Sequence, residues 1–193
     1  MRIGLLGGSF NPAHEGHVMI SETALARLGL DQVWWLVSPQ NPLKPAAQSA
    51  PLDDRLAQAR AIATHPRLHI AALEDVLGTQ FSADTLAVLK RRFPRVDFVW
   101  LIGADNLIQL PQWKDWKSIF HTVVIAVFGR PSYSLRALAA QAAGHFARYR
   151  VAESRAKQLA GMPPPAWVFI HGPLSSRSST ELRAARADRK QRN

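Results

Sequence analysis

The 193-residue sequence predicts an α/β architecture: one doubly wound domain whose mostly parallel sheet carries helices on both faces. Three observations predict it. Short apolar runs alternate with helical patterns almost from end to end, which is the rhythm of β-α-β crossovers. The runs at 98–102 and 123–127 are apolar without alternation, as strands covered on both faces are. The first apolar run passes into a glycine turn and then a helical pattern, and open α/β sheets bind ligands at such strand ends.

In order, strands are predicted over 2–6, 32–37, 68–71, 97–102, 122–128 and 167–171. Helices are predicted over 16–28, 52–64, 82–93, 135–146 and 179–187. Four prolines with Asn, Gln, Ser and Lys44 make 39–51 a loop, placed where lids are often found. Gly161-Met162-Pro163-Pro164-Pro165 reads as a stiff connector before the last strand. Neither a repeat nor a dividing linker occurs, so 1–193 is expected to form a single Rossmann-like domain with a basic tail at about 187–193.

Bulk composition narrows the class. The chain contains no cysteine, which excludes disulfides and thiolate metal sites and suits a reducing compartment. Its first apolar stretch is too short for a signal peptide, and its longest runs fall far short of a membrane span, so a cytoplasmic protein is expected. The net charge of +10 suits a polyanionic partner, which a phosphorylated small molecule satisfies. Much of that charge sits at Arg183, Arg186, Arg189, Lys190 and Arg192, read as a solvated helix end and tail. No aromatic–basic alternation marks a nucleic-acid surface.

The segment Gly7-Gly8-Ser9-Phe10-Asn11-Pro12-Ala13-His14-Glu15-Gly16-His17 carries the strongest functional signal. Strand, glycine turn and helix start bring backbone N–H groups and a helix dipole together on an anion. A Walker A loop is excluded because no lysine is present, and the glycine spacing does not fit a dinucleotide fingerprint. His14 and His17, three residues apart near the helix start, point the same way. A second signal is Ser178-Ser179-Thr180-Glu181-Leu182-Arg183. Ser178 and Glu181 form a capping-box pattern, and the same helix start offers N–H groups, hydroxyls and a bidentate arginine to phosphate. Two such sites at opposite ends of the chain suggest a polyphosphate held between them.

These residues give the chain a specific resemblance. The first segment is similar to the Gly-x-Phe-Asp-Pro-x-His-x-Gly-His signature of the nucleotidyltransferase superfamily, and the second to its Ile-Ser-Ser-Thr-x-Ile-Arg signature. Within that superfamily the chain most resembles the bacterial nicotinate-nucleotide adenylyltransferases. Supporting stretches are Asn41-Pro42-Leu43-Lys44, Phe81-Ser82-Ala83-Asp84-Thr85-Leu86, Leu101-Ile102-Gly103-Ala104-Asp105-Asn106, Leu110-Pro111-Gln112-Trp113 and Arg130-Pro131. The departures are Asn11 for Asp, Arg177 and Leu182 for Ile, Ser132 for Gly, and Lys114 where Tyr is frequent. Lys114 falls near the expected pyridine site, so it bears on the substrate and not on the reaction class.

The resemblance implies adenylyl transfer from ATP, accompanied by Mg²⁺, to nicotinate mononucleotide. Both partners are small molecules; neither nucleic acid nor membrane is implied, and a homo-oligomer remains open. It implies that His14, His17 and Arg183 are catalytic. It assigns ATP to Gly7, Gly8, Ser9, Phe10, His17, Gly103, Asp105, Arg130, Ser179, Thr180 and Arg183. It assigns the second substrate to Lys44, Thr85 and Trp113, with no protein-held metal site. From the residues alone Asp105 could equally cap the helix after its strand, Trp113 could be a core residue and Lys44 a surface lysine. Trp34, Trp35, Trp100 and Trp167 lie in strands and are expected in the core. A covalent histidine intermediate is not needed, since phosphate is itself a competent nucleophile. Nicotinamide mononucleotide or phosphopantetheine as acceptor, and a non-catalytic nucleotide- or nucleic-acid-binding protein, are the competing readings.

Overall fold

In a computed structural model, residues 1–39, 49–129 and 133–172 are described. They build a seven-stranded sheet of β1 (Arg2–Gly8), β2 (Gln32–Val37), β3 (Leu68–Ala71), β4 (Asp97–Gly103), β5 (Val124–Phe128), β6 (Arg150–Val151) and β7 (Trp167–Ile170). The spatial order is β3-β2-β1-β4-β5-β7-β6, and every adjacent pair is parallel. The order reverses between β1 and β4, so a crevice is expected at the carboxyl ends of those two strands.

Alternate residues of the central strands supply two cores, as the unbroken apolar runs require. Leu6, Val99, Leu101, Val124 and Ala126 meet α1 (Glu15–Arg27), α2 (Leu52–Ile62) and a 3-10 stretch over Glu153–Gly161. Leu5, Trp100, Ile102, Ile125 and Val127 meet α4 (Ser82–Arg92), α5 (Ala104–Gln109), α6 (Trp116–Thr122), α7 (Ser134–Leu138) and α8 (Gln141–His145). A further short helix, α3 (Leu73–Leu77), follows β3. The sheet is thus doubly wound, as the sequence predicts.

Several boundaries differ for identifiable reasons. β1 runs on through Gly8 because Gly7 and Gly8 still pair with Leu36 and Val37, so the turn begins only at Ser9. The predicted strand at 122–128 starts at Val124, because Thr122 closes α6 with its Oγ1 donating to the Ser118 carbonyl. The predicted helix at 135–146 is two helices. In one continuous helix Ala137 would face away from Ala142, Ala143 and Phe146; a break at extended Ala140 lets all four reach the same core. Trp35, Trp100 and Trp167 are core residues, but Trp34 is only half-buried, its Nε1 donating to Gln32 Oε1. The predicted helix at 179–187 lies outside the described residues.

Candidate active site

At the carboxyl end of β1 the chain enters a turn held from several sides. Gly7 has no room for a side chain: a Cβ there would sit 2.4 Å from Cη2 of the Trp100 ring. Phe10 adopts φ +45°, a left-handed conformation that costs a non-glycine residue about 1–3 kcal/mol. Its buried ring is fixed against Trp35 (centroids 5.0 Å apart, 11° between planes) and lies 4.7 Å from the His17 ring. The Ser38 N–H donates to the Gly8 carbonyl (3.0 Å), tying the turn to the end of β2.

The two histidines are the caps of α1. His14 is the N-cap in extended conformation, and its Nδ1 accepts from the Gly16 N–H (3.1 Å). His17 returns the bond, its Nδ1 accepting from the His14 N–H (3.1 Å). This is a capping box built from imidazoles in place of Ser and Glu. It has a chemical consequence. With Nδ1 accepting, the neutral ring carries its proton on Nε2. The ring centroids are 3.9 Å apart, so the two imidazoles lie side by side, with His14 only 4% exposed. Behind them Ser21 Oγ donates to the His17 carbonyl (2.8 Å) and accepts from Trp35 Nε1 (2.8 Å), which fixes the helix's first turn on β2.

Beside this turn β4 ends at Gly103, which is the N-cap of α5, with Asp105 in that helix's first turn. Asp105 therefore does not act as the cap; its Oδ1 is fully buried. The structure brings Gly7, Gly8, Ser9, Phe10, His14, His17, Gly103 and Asp105 to the β1 and β4 ends, where the strand order reverses.

Thr85, expected at the second substrate, is engaged within its own helix. It is buried in α4 with its N–H donating to the Phe81 carbonyl (3.0 Å) and its Oγ1 engaged by the same carbonyl (3.2 Å) and by Thr79 Oγ1 (2.8 Å). Those groups secure the start of α4. Trp113, after a 3-10 turn at Leu110–Gln112, is half-buried: part of it packs on the core and part stays accessible. Lys114 lies against the start of α4, 3.4 Å from Asp84 Oδ2 and 4.5 Å from the Phe81 ring centre. Lys44, Arg130, Ser179, Thr180 and Arg183 lie outside the described residues.

Among the described residues no group of three or more His, Asp or Glu side chains could hold a metal ion, and no helix is long and apolar enough to cross a membrane.

The residues that hold this site are not evident from sequence reasoning. Trp35 is expected in the core from its strand position, and no motif marks Ser21. Arg55 does carry a signal: it occupies the buried stripe of α2 with Leu56 and Ala59, where a charged residue is out of place.

Two histidines at a helix start beside a backbone turn, at the switch point of a parallel sheet, form a place suited to an anion such as a phosphate. The pattern of the cytidylyltransferase-like family matches residues 5–185. Within that family the chain belongs to the nicotinate-nucleotide adenylyltransferases. It is 53% identical over 183 residues to a "Probable nicotinate-nucleotide adenylyltransferase" of Methylorubrum extorquens, covering 95% of this chain and 99% of the relative. It is 49% identical over 187 residues to the protein of that description from Rhizobium meliloti, covering 97% of this chain and 100% of the relative. In fold it is similar to the Plasmodium falciparum nicotinic acid mononucleotide adenylyltransferase complexed with NaAD, with a TM-score of 0.71, 18% identity, and 95% of this chain and 82% of that chain covered.

Proposed function

We propose that the chain transfers the adenylyl group of MgATP to nicotinate mononucleotide, giving deamido-NAD and pyrophosphate, in the cytoplasm. An oxygen of the mononucleotide phosphate attacks the α-phosphorus of ATP in line. The bond from that phosphorus to the α,β-bridging oxygen breaks, and pyrophosphate leaves with the charge. Such a reaction is accelerated mainly by alignment and by donors aimed at the phosphoryl oxygens. The observation that carries the reading is the histidine capping box, which fixes two Nε2–H donors beside the Ser9–Phe10 turn. The Ser9 and Phe10 amides face the triphosphate, while Gly103 and Asp105 meet the nucleoside side; the Gly8 N–H points to β2 with its carbonyl and stays in the sheet. Ser179, Thr180, Arg183 and Arg130 are assigned to the phosphates, and Lys44 to the mononucleotide phosphate, on sequence alone. Trp113 offers its accessible ring face to the pyridine.

The test is pyrophosphate release from MgATP with nicotinate mononucleotide, nicotinamide mononucleotide and phosphopantetheine offered separately. Release is expected to be fastest with the first. Equal rates with the amide would mean dual specificity, and preference for phosphopantetheine would overturn the acceptor.

A further inference from the structure

Arg55 stands on α2, outside every motif of the site, and is 1% exposed. Its Nε donates to the Ala50 carbonyl (2.9 Å), its Nη1 to those of Ser9 (2.7 Å) and Ser38 (2.7 Å), and its Nη2 to that of Pro39 (2.8 Å). All four acceptors are main-chain carbonyls. Taking a guanidinium out of water is costly, and burial pushes its pKa below the ordinary arginine value. Four charge-assisted hydrogen bonds offset that cost. One cation thereby joins three segments: the turn after β1, the end of β2 and the entry to α2. Glu74 extends the network from α3, its Oε2 accepting from Ser38 Oγ (2.8 Å).

The bond to Ser9 bears on the reaction. A trans peptide is planar, with its C=O and N–H pointing in opposite directions, and the Ser9–Phe10 bond is trans. Drawing the Ser9 carbonyl toward Arg55 therefore aims the Phe10 N–H the other way. The preceding peptide is set alike: the Gly8 carbonyl accepts from Ser38, so the Ser9 N–H also points away from β2. Neither amide donates to a described residue. Consecutive N–H groups turned to one side form a concavity for an anion.

We propose that Arg55 is a positioning residue for nucleotidyl transfer: by holding the Ser9 carbonyl it keeps the Phe10 amide aimed at a phosphate of the nucleoside triphosphate. This rests on the adenylyl-transfer reading above. Arg55→Lys keeps the charge, but a single ammonium cannot span the Ser9, Ser38, Pro39 and Ala50 carbonyls together. Its KM for ATP is expected to rise about tenfold and its kcat to fall about 10–10²-fold per folded molecule, the scale of a small misplacement of a reacting group. Leu56→Ala, a neighbouring core truncation, serves as the stability control: it lowers Tm while leaving both constants within about twofold. Equal constants for Arg55→Lys and wild type, per folded molecule, would overturn the proposal.

A second measurement needs no variant. On the unsubstituted protein the backbone amide signals of Ser9 and Phe10 should shift when a non-hydrolysable MgATP analogue binds. Binding without movement of either signal would overturn the proposal. Shifted signals in a protein that releases no pyrophosphate with any acceptor would instead remove the transfer reading and leave the assignment of Arg55 as a phosphate-loop anchor intact.

Discussion

After β1 the chain is held by side chains from several elements, whereas the helices that follow β4 begin without side-chain caps. The first turn has Phe10 packed on Trp35, the Ser9 carbonyl held by Arg55, two histidines capping one another and Ser21 fastening the helix behind them. In the second region α5 begins without a side-chain cap, and Asp115 starts α6 from a left-handed φ of +49°, again uncapped. The charged pair of Lys114 with Asp84 is 49% and 46% exposed, a geometry worth at most about 1 kcal/mol. The difference suits the roles proposed for the two regions. Donors to a transferring phosphate must be fixed before reaction begins. In the proposed function the second region faces the acceptor, and Lys114, with its exposed pair to Asp84, falls in it.

The largest effect should come from the tight region. His14→Asn keeps a good N-cap for α1 while removing the imidazole Nε2 donor. Turnover is expected to fall about 10²–10³-fold with Tm little changed, because one transition-state donor is lost. Parallel pyrophosphate-release and thermal-melt assays check it, and normal turnover would remove the histidine from the mechanism.

Gly7→Ala strikes the same region through packing. A Cβ 2.4 Å from a core indole forces the ring or the strand to move, at about 1–3 kcal/mol. Tm should drop by several degrees, at roughly 2–4 °C per kcal/mol for a chain of this size, with turnover reduced as the turn shifts. An unchanged melt would show that Trp100 moves freely.

In the loose region Lys114→Ala should leave kcat within about twofold and Tm within roughly 2 °C, the scale of an exposed pair. Any effect should appear in the KM for the mononucleotide. A collapse of kcat would move Lys114 into the reacting centre and break the contrast between the two turns.

A stability effect with no expected change in turnover lies outside both regions. Burial alone would raise the Glu153 carboxyl pKa, but hydrogen bonds from the His171 side chain and backbone and from Arg27 hold it below the ordinary carboxylate value. A lowered folded-state pKa stabilises the protein above the unfolded value near 4.5, and that contribution is lost as pH falls through the folded value. Glu153→Gln should therefore lower Tm by a few degrees at neutral pH, with the gap closing in acid. A gap that persists in acid would mean that packing, not charge, is at stake.

The two turns also differ in how far the sequence discloses them. The first is legible because glycine, histidine and helix-start spacing are themselves the chemistry: Gly7, Gly8, His14 and His17 stand at the strand and helix ends their order implies. The central strands are legible for a similar reason, since burial on both faces leaves unbroken apolar runs. The elements α3, α5 and α6 are not, being five to seven residues long and lacking side-chain caps, and β6 has only two residues. What the sequence hides in the site is its support. The role of Arg55 depends on carbonyls 5 to 46 residues away in the chain, and no local spacing encodes such a bond. Thr85 shows the same limit, because its motif is legible while the bonds of its hydroxyl and N–H within the start of α4 are not.

The most direct test of the division between chemistry and selection sets His14→Asn beside Trp113→Ala in one steady-state experiment. For each variant, kcat and the KM for nicotinate and nicotinamide mononucleotides are measured by pyrophosphate release. His14→Asn should lower kcat with both acceptors alike and leave their ratio intact, whereas Trp113→Ala should raise the acceptor KM and narrow the preference while kcat changes little. If His14→Asn altered the preference and Trp113→Ala abolished turnover, the assignment of chemistry to the first turn and selection to the second would be wrong.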